Sequence, residues 1–283
     1  MPSWKLHREI VEKLQREVEG FVVWTPGLID RVDRIIDKEY GEHDLGRGRD
    51  PESFYKLLIA LWIEFGDVYD TLSEKFLRTD RYVRLKWKDI FLWNPEHARR
   101  YLAYVPDDCM ILVLLHHILD LAMDYLLNNC VSEEKSSSML EYACQEMKQY
   151  EIHLRELRSM DGRPFTEVLK WLCEILTERS RQLHALFVNE LRSKGLGPGY
   201  GSKALTRVLS RYVNKKGYYG IINVNGKWLP IAAAATVIFN KLRKGESVTL
   251  GFSRYRGPYI HEELKLQSFR ELVDKLSEDP CAP

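Results

Sequence analysis

Between Met110 and Leu127 runs the stretch that most restricts how this chain can fold. It opens as an apolar segment, Met110-Ile111-Leu112-Val113-Leu114-Leu115, and is then interrupted by His116, His117, Asp120 and Asp124. A helix this apolar has to be buried on nearly every side, and ionisable groups inside it are expensive to bury unless they are hydrogen-bonded, paired or bound to a metal. His116 and Asp120 are four apart, and His117, Asp120 and Asp124 lie at spacings of three and four, so all can share one side of the helix. Two readings follow: a buried polar network in which the histidines bond to Asp120 and Asp124, or a metal site. The four polar interruptions argue against a membrane span, and no other apolar run approaches the length that one needs.

Around this helix the periodicity predicts a mainly α protein. Leu6, Ile10, Val11, Leu14 and Val18 recur at helical spacing from Trp4 to Glu19, with His7 one turn before Ile10 and Val11. Thr25-Pro26 opens a second helix through Leu28, Ile29, Val32, Ile35 and Ile36 that runs out near Tyr40-Gly41. Asp50-Pro51 starts a third, through Phe54 to Phe65, and shorter helices are expected around Val68 to Phe76 and Pro95 to Tyr104. Two long helices, about Met139 to Met160 and Phe165 to Ser193, follow the buried one, and nothing through Ser193 reads as a sheet. Residues 194–202 form a Gly/Pro-rich linker, since Gly195 to Gly201 hold four glycines and a proline. Beyond it the texture becomes α+β: a helix over Ala204 to Tyr212, a hairpin at Asn225-Gly226, an alanine-rich helix from Ile231 to Leu242, a strand over Ser247 to Ser253 and a last helix over Glu262 to Leu276. The expected organisation is a helical domain over 1–193 and a small basic α+β domain over 203–283.

The formal net charge of +1 hides an asymmetry. From Arg192 to Arg256 there are thirteen Lys and Arg against one acid, Glu246. A segment so basic attracts polyanions even in a neutral molecule. Five scattered cysteines, odd in number and without a Cys-x-x-Cys pair, read as reduced core thiols. With no apolar core near Met1, a cytoplasmic protein is expected.

Glu42-His43-Asp44-Leu45-Gly46-Arg47 sets an imidazole and a carboxylate side by side before a glycine, two ligand types suited to a divalent cation that would draw further ligands from elsewhere. The motif resembles the signature of the HD superfamily of metal-dependent phosphohydrolases, in which a His-Asp pair is followed by an apolar residue and glycine; the resemblance covers about the first 130 residues. It implies a helical HD-like core in which an upstream histidine, the doublet and a distant aspartate hold one metal, with extra histidines for a second. On this chain the upstream histidine would be His7, the doublet His43 and Asp44, and the distant aspartate Asp120 or Asp124; His97, His116 and His117 could be the additional histidines. The metal could be Mn, Fe, Ni, Co, Mg or Zn. It would lower the pKa of a bound water and neutralise a phosphoryl oxygen, with Asp44 bridging metals or orienting the water. Arg47 and Arg49, on the glycine-flanked loop, would hold phosphate through their planar forks.

In the basic region the bases are interleaved with Tyr200, Tyr212, Tyr218, Tyr219, Trp228 and Tyr255, a mix suited to phosphate contacts and base stacking. Arg207, Arg211, Lys215, Lys216, Arg254 and Arg256 are the candidate contacts. The intramolecular alternative is that this region faces the acidic first 191 residues. The sequence therefore leads to a metal-dependent phosphohydrolase acting on a phosphate ester or phosphodiester, a nucleotide or nucleic acid among the options. The rival is a non-catalytic nucleic-acid-binding or scaffold protein with a helical core.

Overall fold

The structure, a computed structural model, describes residues 3–23, 27–34, 36–37, 104–105, 107–149, 158–159, 163–255, 259–277 and 281. The protein is mainly α, with nine helices among the described residues and a small four-stranded antiparallel sheet near the C-terminus. It divides into two compact units: Met1–Leu121 with Leu140–Ser180, and Ala122–Met139 with Arg181–Pro283.

In the first unit α1 (Trp4–Glu17) begins where the Ser3 side chain accepts from the Leu6 amide, and ends where Val18 turns extended. Its buried stripe is Leu6, His7, Ile10, Val11 and Leu14, so His7 lies on the face that packs. Gly27, at φ 73°, precedes the short α2 (Leu28–Arg34), which buries Leu28, Ile29, Val32 and Asp33. Strand β1 (Tyr104–Val105) leads into α3 (Asp107–Asn128). Every residue from Met110 to Leu119 in α3 is buried, as so apolar a run requires, while Asp120 and Asp124 farther along are partly or fully exposed. By length and composition Met110–Asn128 could cross a membrane, yet 78% of its most apolar window is buried inside the protein, the setting of a core helix.

A 3₁₀ turn (Glu133–Lys135) and α4 (Ser137–Lys148) follow, and β2 (Arg158–Ser159) pairs parallel with β1. Helix α5 (Phe165–Glu178) buries Phe165, Val168, Leu169, Leu172 and Leu176. The long helix expected over Phe165 to Ser193 is two helices: α5 stops at Arg179, whose φ of −100° and ψ of 14° leave the helical region, and α6 (Ser180–Ser193) begins next. The Arg179 guanidinium returns to the Ile175 carbonyl at 3.2 Å, satisfying an acceptor freed by the break. Of the helix expected over 139–160, α4 covers the first part only. The expected helices over 54–65 and 68–76 lie outside the described residues, and of 95–104 only Tyr104, in β1, is described.

In the second unit the Gly/Pro segment is tied to the end of α3: the Gly199 and Gly201 amides donate to the carbonyls of Leu126 (3.1 Å) and Leu127 (2.6 Å). A Cβ on Gly201 would stand 2.4 Å from Asn128 Oδ1, so no other residue fits there. Helix α7 (Ser202–Lys216) leads to β3 (Ile221–Val224) and β4 (Lys227–Pro230), joined by the expected hairpin, with Asn225 and Gly226 both at positive φ. Then come α8 (Ile231–Arg243), β5 (Val248–Phe252), β6 (Glu262–Leu266) and α9 (Phe269–Leu276). The sheet order is β4-β3-β5-β6, antiparallel throughout. Residues 262–266, expected as the start of the last helix, are thus a strand, because they complete the ladder of β5.

Four of the five cysteines depart from the expected reduced state. Cys130–Cys281 and Cys144–Cys173 are disulfides, with Cα separations of 5.2 and 6.0 Å that suit the bond. The partners lie 151 and 29 residues apart, so no local spacing advertises them.

Candidate metal centre

Three helices converge on one cluster of the first unit. The packing stripe of α1 delivers His7, that of α2 delivers Asp33, and α3 delivers His116 and, four residues on, Asp120. Asp37, one turn beyond Asp33, joins from the end of the second segment. Asp33 is the hub: its Oδ1 lies 2.9 Å from His7 Nδ1 and 2.7 Å from His116 Nδ1. The two imidazoles meet edge to face, ring centres 4.9 Å apart. Their opposite nitrogens face carboxylates: His7 Nε2 is 3.7 Å from Asp120 Oδ1, and His116 Nε2 is 3.4 Å from Asp120 Oδ2 and 3.6 Å from Asp37 Oδ1. Trp4 Nε1 donates to Asp37 Oδ2 at 2.5 Å, leaving Oδ1 to face His116.

These two sets of distances mean different things. Two donors on one cation at ~2.1 Å stand about 3.4 Å apart if tetrahedral. The Nδ1 to Asp33 contacts are too short for that and are hydrogen bonds, in which one carboxylate oxygen accepts both ring N–H groups. The Nε2 to carboxylate separations match the edge of a coordination shell. Exposure is graded along the same direction: the side chain of Asp33 is 0% exposed, Asp120 13% and Asp37 18%. The cluster therefore has a closed end at Asp33 and an open end at the Asp120 and Asp37 carboxylates. Among the described residues, His7 Nε2, His116 Nε2 and Asp120 Oδ1 are buried with no hydrogen-bond partner. Buried polar atoms are ordinarily satisfied, so these three facing one point suit ligand donors, although Asp33 Oδ2 at the closed end is unsatisfied as well.

The electrostatics agree. Burial alone would lower the His116 pKa, but the nearby Asp120 and Asp33 carboxylates outweigh it and raise it to about 10. For Asp120, burial acts upward, and the nearby imidazoles of His116 and His7 bring it down to about 2. Without a cation the cluster so attracts and holds a proton, which is how a site rich in carboxylates behaves.

The sequence candidates fall into three groups. His7, His116 and Asp120 come together. His117 packs edge-on against His116, with ring centres 5.2 Å apart. Asp124, the alternative to Asp120, is exposed and accepts from Asn128 Nδ2 at 3.1 Å. His43, Asp44, Arg47, Arg49 and His97 lie outside the described residues, as does Arg256. Asp33 and Asp37 were not singled out from the sequence, although a signal existed: Asp33 falls on the apolar stripe of Leu28, Ile29, Val32 and Ile36, where an acid is out of place unless something buried needs it. In the second unit Arg207 is exposed and donates to the Asn128 carbonyl at 2.6 Å, Lys215, Lys216 and Arg254 are exposed, and Arg211 is half-buried.

Fold and site together define a helical protein with a buried His-Asp-His group that could hold a metal ion. Comparison with protein families, curated proteins and solved structures returns no match.

Proposed function

We propose that the chain is a divalent-metal-dependent hydrolase acting on a phosphate ester or phosphodiester. The supporting observation is that two imidazole Nε2 atoms and the carboxylates of Asp120 and Asp37 face one another at shell-edge distances while Asp33 holds both rings from behind. In this reading His7, His116, Asp120 and Asp37 hold the cation, and Asp33 fixes the tautomer and angle of both histidines, the role that carboxylates play behind metal-bound imidazoles. Two imidazoles with carboxylates suit Mn, Fe, Co, Ni or Zn better than Mg, which prefers an all-oxygen shell. When bound, such a cation supplies an acidified water and Lewis acidity toward a phosphoryl oxygen. Asp120 and Asp37, at the open end, are placed to take the proton of that water or to orient it. The His43-Asp44 doublet belongs to the proposal as further ligands, and Arg47 and Arg49 as the phosphate clamp, on the sequence resemblance alone.

The protein incubated with Mn, Co or Zn and then desalted should keep about one equivalent of metal, lost in Asp120→Asn, and should hydrolyse bis-p-nitrophenyl phosphate. Reconstituted protein that neither retains metal nor hydrolyses the diester overturns the proposal. One observation favours the rival reading of a helical scaffold: Asp33 already satisfies both Nδ1 groups, and the His116–Asp120 pair is favourable without any cation. Metal-free protein of undiminished stability would support that reading.

A further inference from the structure

Among the described residues five large apolar side chains are exposed, and four of them, Tyr219, Tyr255, Tyr259 and Ile260, sit at one end of the second unit's sheet. At that end β3 begins, β5 finishes and β6 begins. The Tyr219 amide donates to the Ser253 carbonyl at 2.7 Å, and the His261 amide to the Phe252 carbonyl at 2.8 Å. The Tyr255 ring lies 5.5 Å from His261. Beneath this layer the tyrosines are committed inward: Tyr212 and Tyr218 pack on Phe252, with ring centres 5.2 and 5.5 Å away, and both hydroxyls donate to the Glu262 carboxylate at 2.9 and 2.7 Å. The outer tyrosines differ in kind, with Tyr255 69% and Tyr259 79% exposed. The core beneath is already complete, so leaving these rings in water is not explained by packing.

A run of basic charge along α7 ends at the same place. Lys203, Arg207, Arg211 and Lys215 recur every fourth residue along α7, a basic stripe of about 18 Å at 1.5 Å per residue. It finishes at Lys215-Lys216, where Gly217, at φ 65°, turns the chain into Tyr218-Tyr219. Arg254 is exposed beside Tyr255, close enough for its charge to act on the Tyr218 hydroxyl. Across residues 192–256 only Glu246 opposes thirteen bases, and Lys241 pairs with it at 2.6 Å; at the start of β6, Glu262 is engaged by the two tyrosine hydroxyls and Glu263 is the exposed acid at this end.

We propose that this end of the second unit is a binding surface for single-stranded nucleic acid. Tyr219, Tyr255 and Tyr259 stack on unpaired bases, and Arg254, Lys215, Lys216 and the α7 stripe follow the phosphates. Exposed rings bordered by cations suit a single strand, whose base faces are accessible, whereas a duplex hides those faces. The surface lies wholly in the second unit and stands independently of the metal proposal.

The test is fluorescence anisotropy of the full-length protein with fluorescein-labelled oligo(U), oligo(dT) and a duplex of equal length, over a range of salt. Single strands should bind with an affinity that falls as salt rises. Tyr255→Ala/Tyr259→Ala should weaken binding about 100-fold, roughly tenfold per ring, with the salt slope retained. Lys215→Ala/Lys216→Ala should instead lower the salt slope, by about 0.7 for each phosphate no longer neutralised. Because both tyrosines are exposed, the thermal midpoint of the first variant should match that of the parent. Undiminished affinity in the tyrosine variant, a duplex bound as tightly as a single strand, or no single-strand binding at low salt each overturns the proposal; the last would turn the tyrosines over to a protein partner.

Discussion

His116 Nδ1 lies 2.7 Å from Asp33 Oδ1 across 83 residues of sequence, in a part of the first unit from which water is excluded. The same oxygen takes His7 Nδ1, so a single carboxylate sets the direction of both imidazoles. Asp33→Asn should keep the shape but present a donor or a weaker acceptor to two ring N–H groups. We expect metal affinity to fall 10- to 100-fold, the usual effect of losing a carboxylate behind a ligating histidine. Asp33→Ala should destabilise the metal-free protein by about 3 kcal/mol, as expected when a buried charged pair loses one partner. Calorimetric metal titration and denaturant unfolding check the two values; an Asn variant with unaltered affinity would show that Asp33 does not orient ligands.

The metal-free protein should lose stability at both ends of the pH scale. The folded pKa of His116, about 10, is above its ordinary 6.5, so its contribution is full below pH 6.5 and is lost as pH rises through 10. The folded pKa of Asp120, about 2, is below its ordinary 3.8, so its contribution is present above pH 3.8 and is lost as pH falls through 2. Both limbs largely reflect one His116–Asp120 interaction and do not add. Urea midpoints in the presence of a chelator should trace this plateau, and His116→Gln should flatten the alkaline limb.

Metal should stabilise the fold. A cation at 100 times its dissociation constant adds about 2.7 kcal/mol when it binds only the folded state. The thermal midpoint should therefore rise on adding Mn or Zn and fall back with a chelator. Asp120→Asn should remove the response while Asp124→Asn keeps it, since Asp124 faces solvent and Asn128 instead of the cluster. Equal responses in both variants would place the cation elsewhere.

Reduction should destabilise the protein unequally. Cys130–Cys281 closes 151 residues and Cys144–Cys173 closes 29, for which the chain-entropy relation gives about 5 and about 3.6 kcal/mol. Thermal midpoints of Cys281→Ser and Cys144→Ser, measured beside the parent with and without reductant, check the order. A parent whose midpoint ignores reductant would show that neither bond contributes to stability.

Glu262 should matter to the second unit out of proportion to its single charge. Its carboxylate accepts from the hydroxyls of Tyr212 and Tyr218, and burial together with that bond raises the Tyr212 pKa. Glu262→Ala should cost about 2 kcal/mol through the stranded hydroxyls. Ultraviolet titration of the variant should show tyrosine ionising at lower pH than in the parent.

The sequence by itself determined the elements whose causes are local. Apolar spacing made α1 amphipathic with His7 on its packing face, the unbroken apolar run from Met110 to Leu115 committed that part of α3 to burial, and Asn225-Gly226 imposed the β3–β4 turn because both residues tolerate positive φ. Helical spacing also put His116 and Asp120 on one side of α3, so half of the candidate site was legible before any packing was known. The tertiary structure decided what depends on meetings between distant segments. Asp33 and Asp37 become site residues only because α2 packs beside α1 and α3, and the meaning of an acid on an apolar stripe is set by whatever lies opposite it. Cys130 finds Cys281 and residues 262–266 become a strand for the same reason. Local propensity fixes the backbone over a few residues, but partners across 80 or 150 residues are chosen by the free energy of burying whole faces together, which no short stretch of sequence contains.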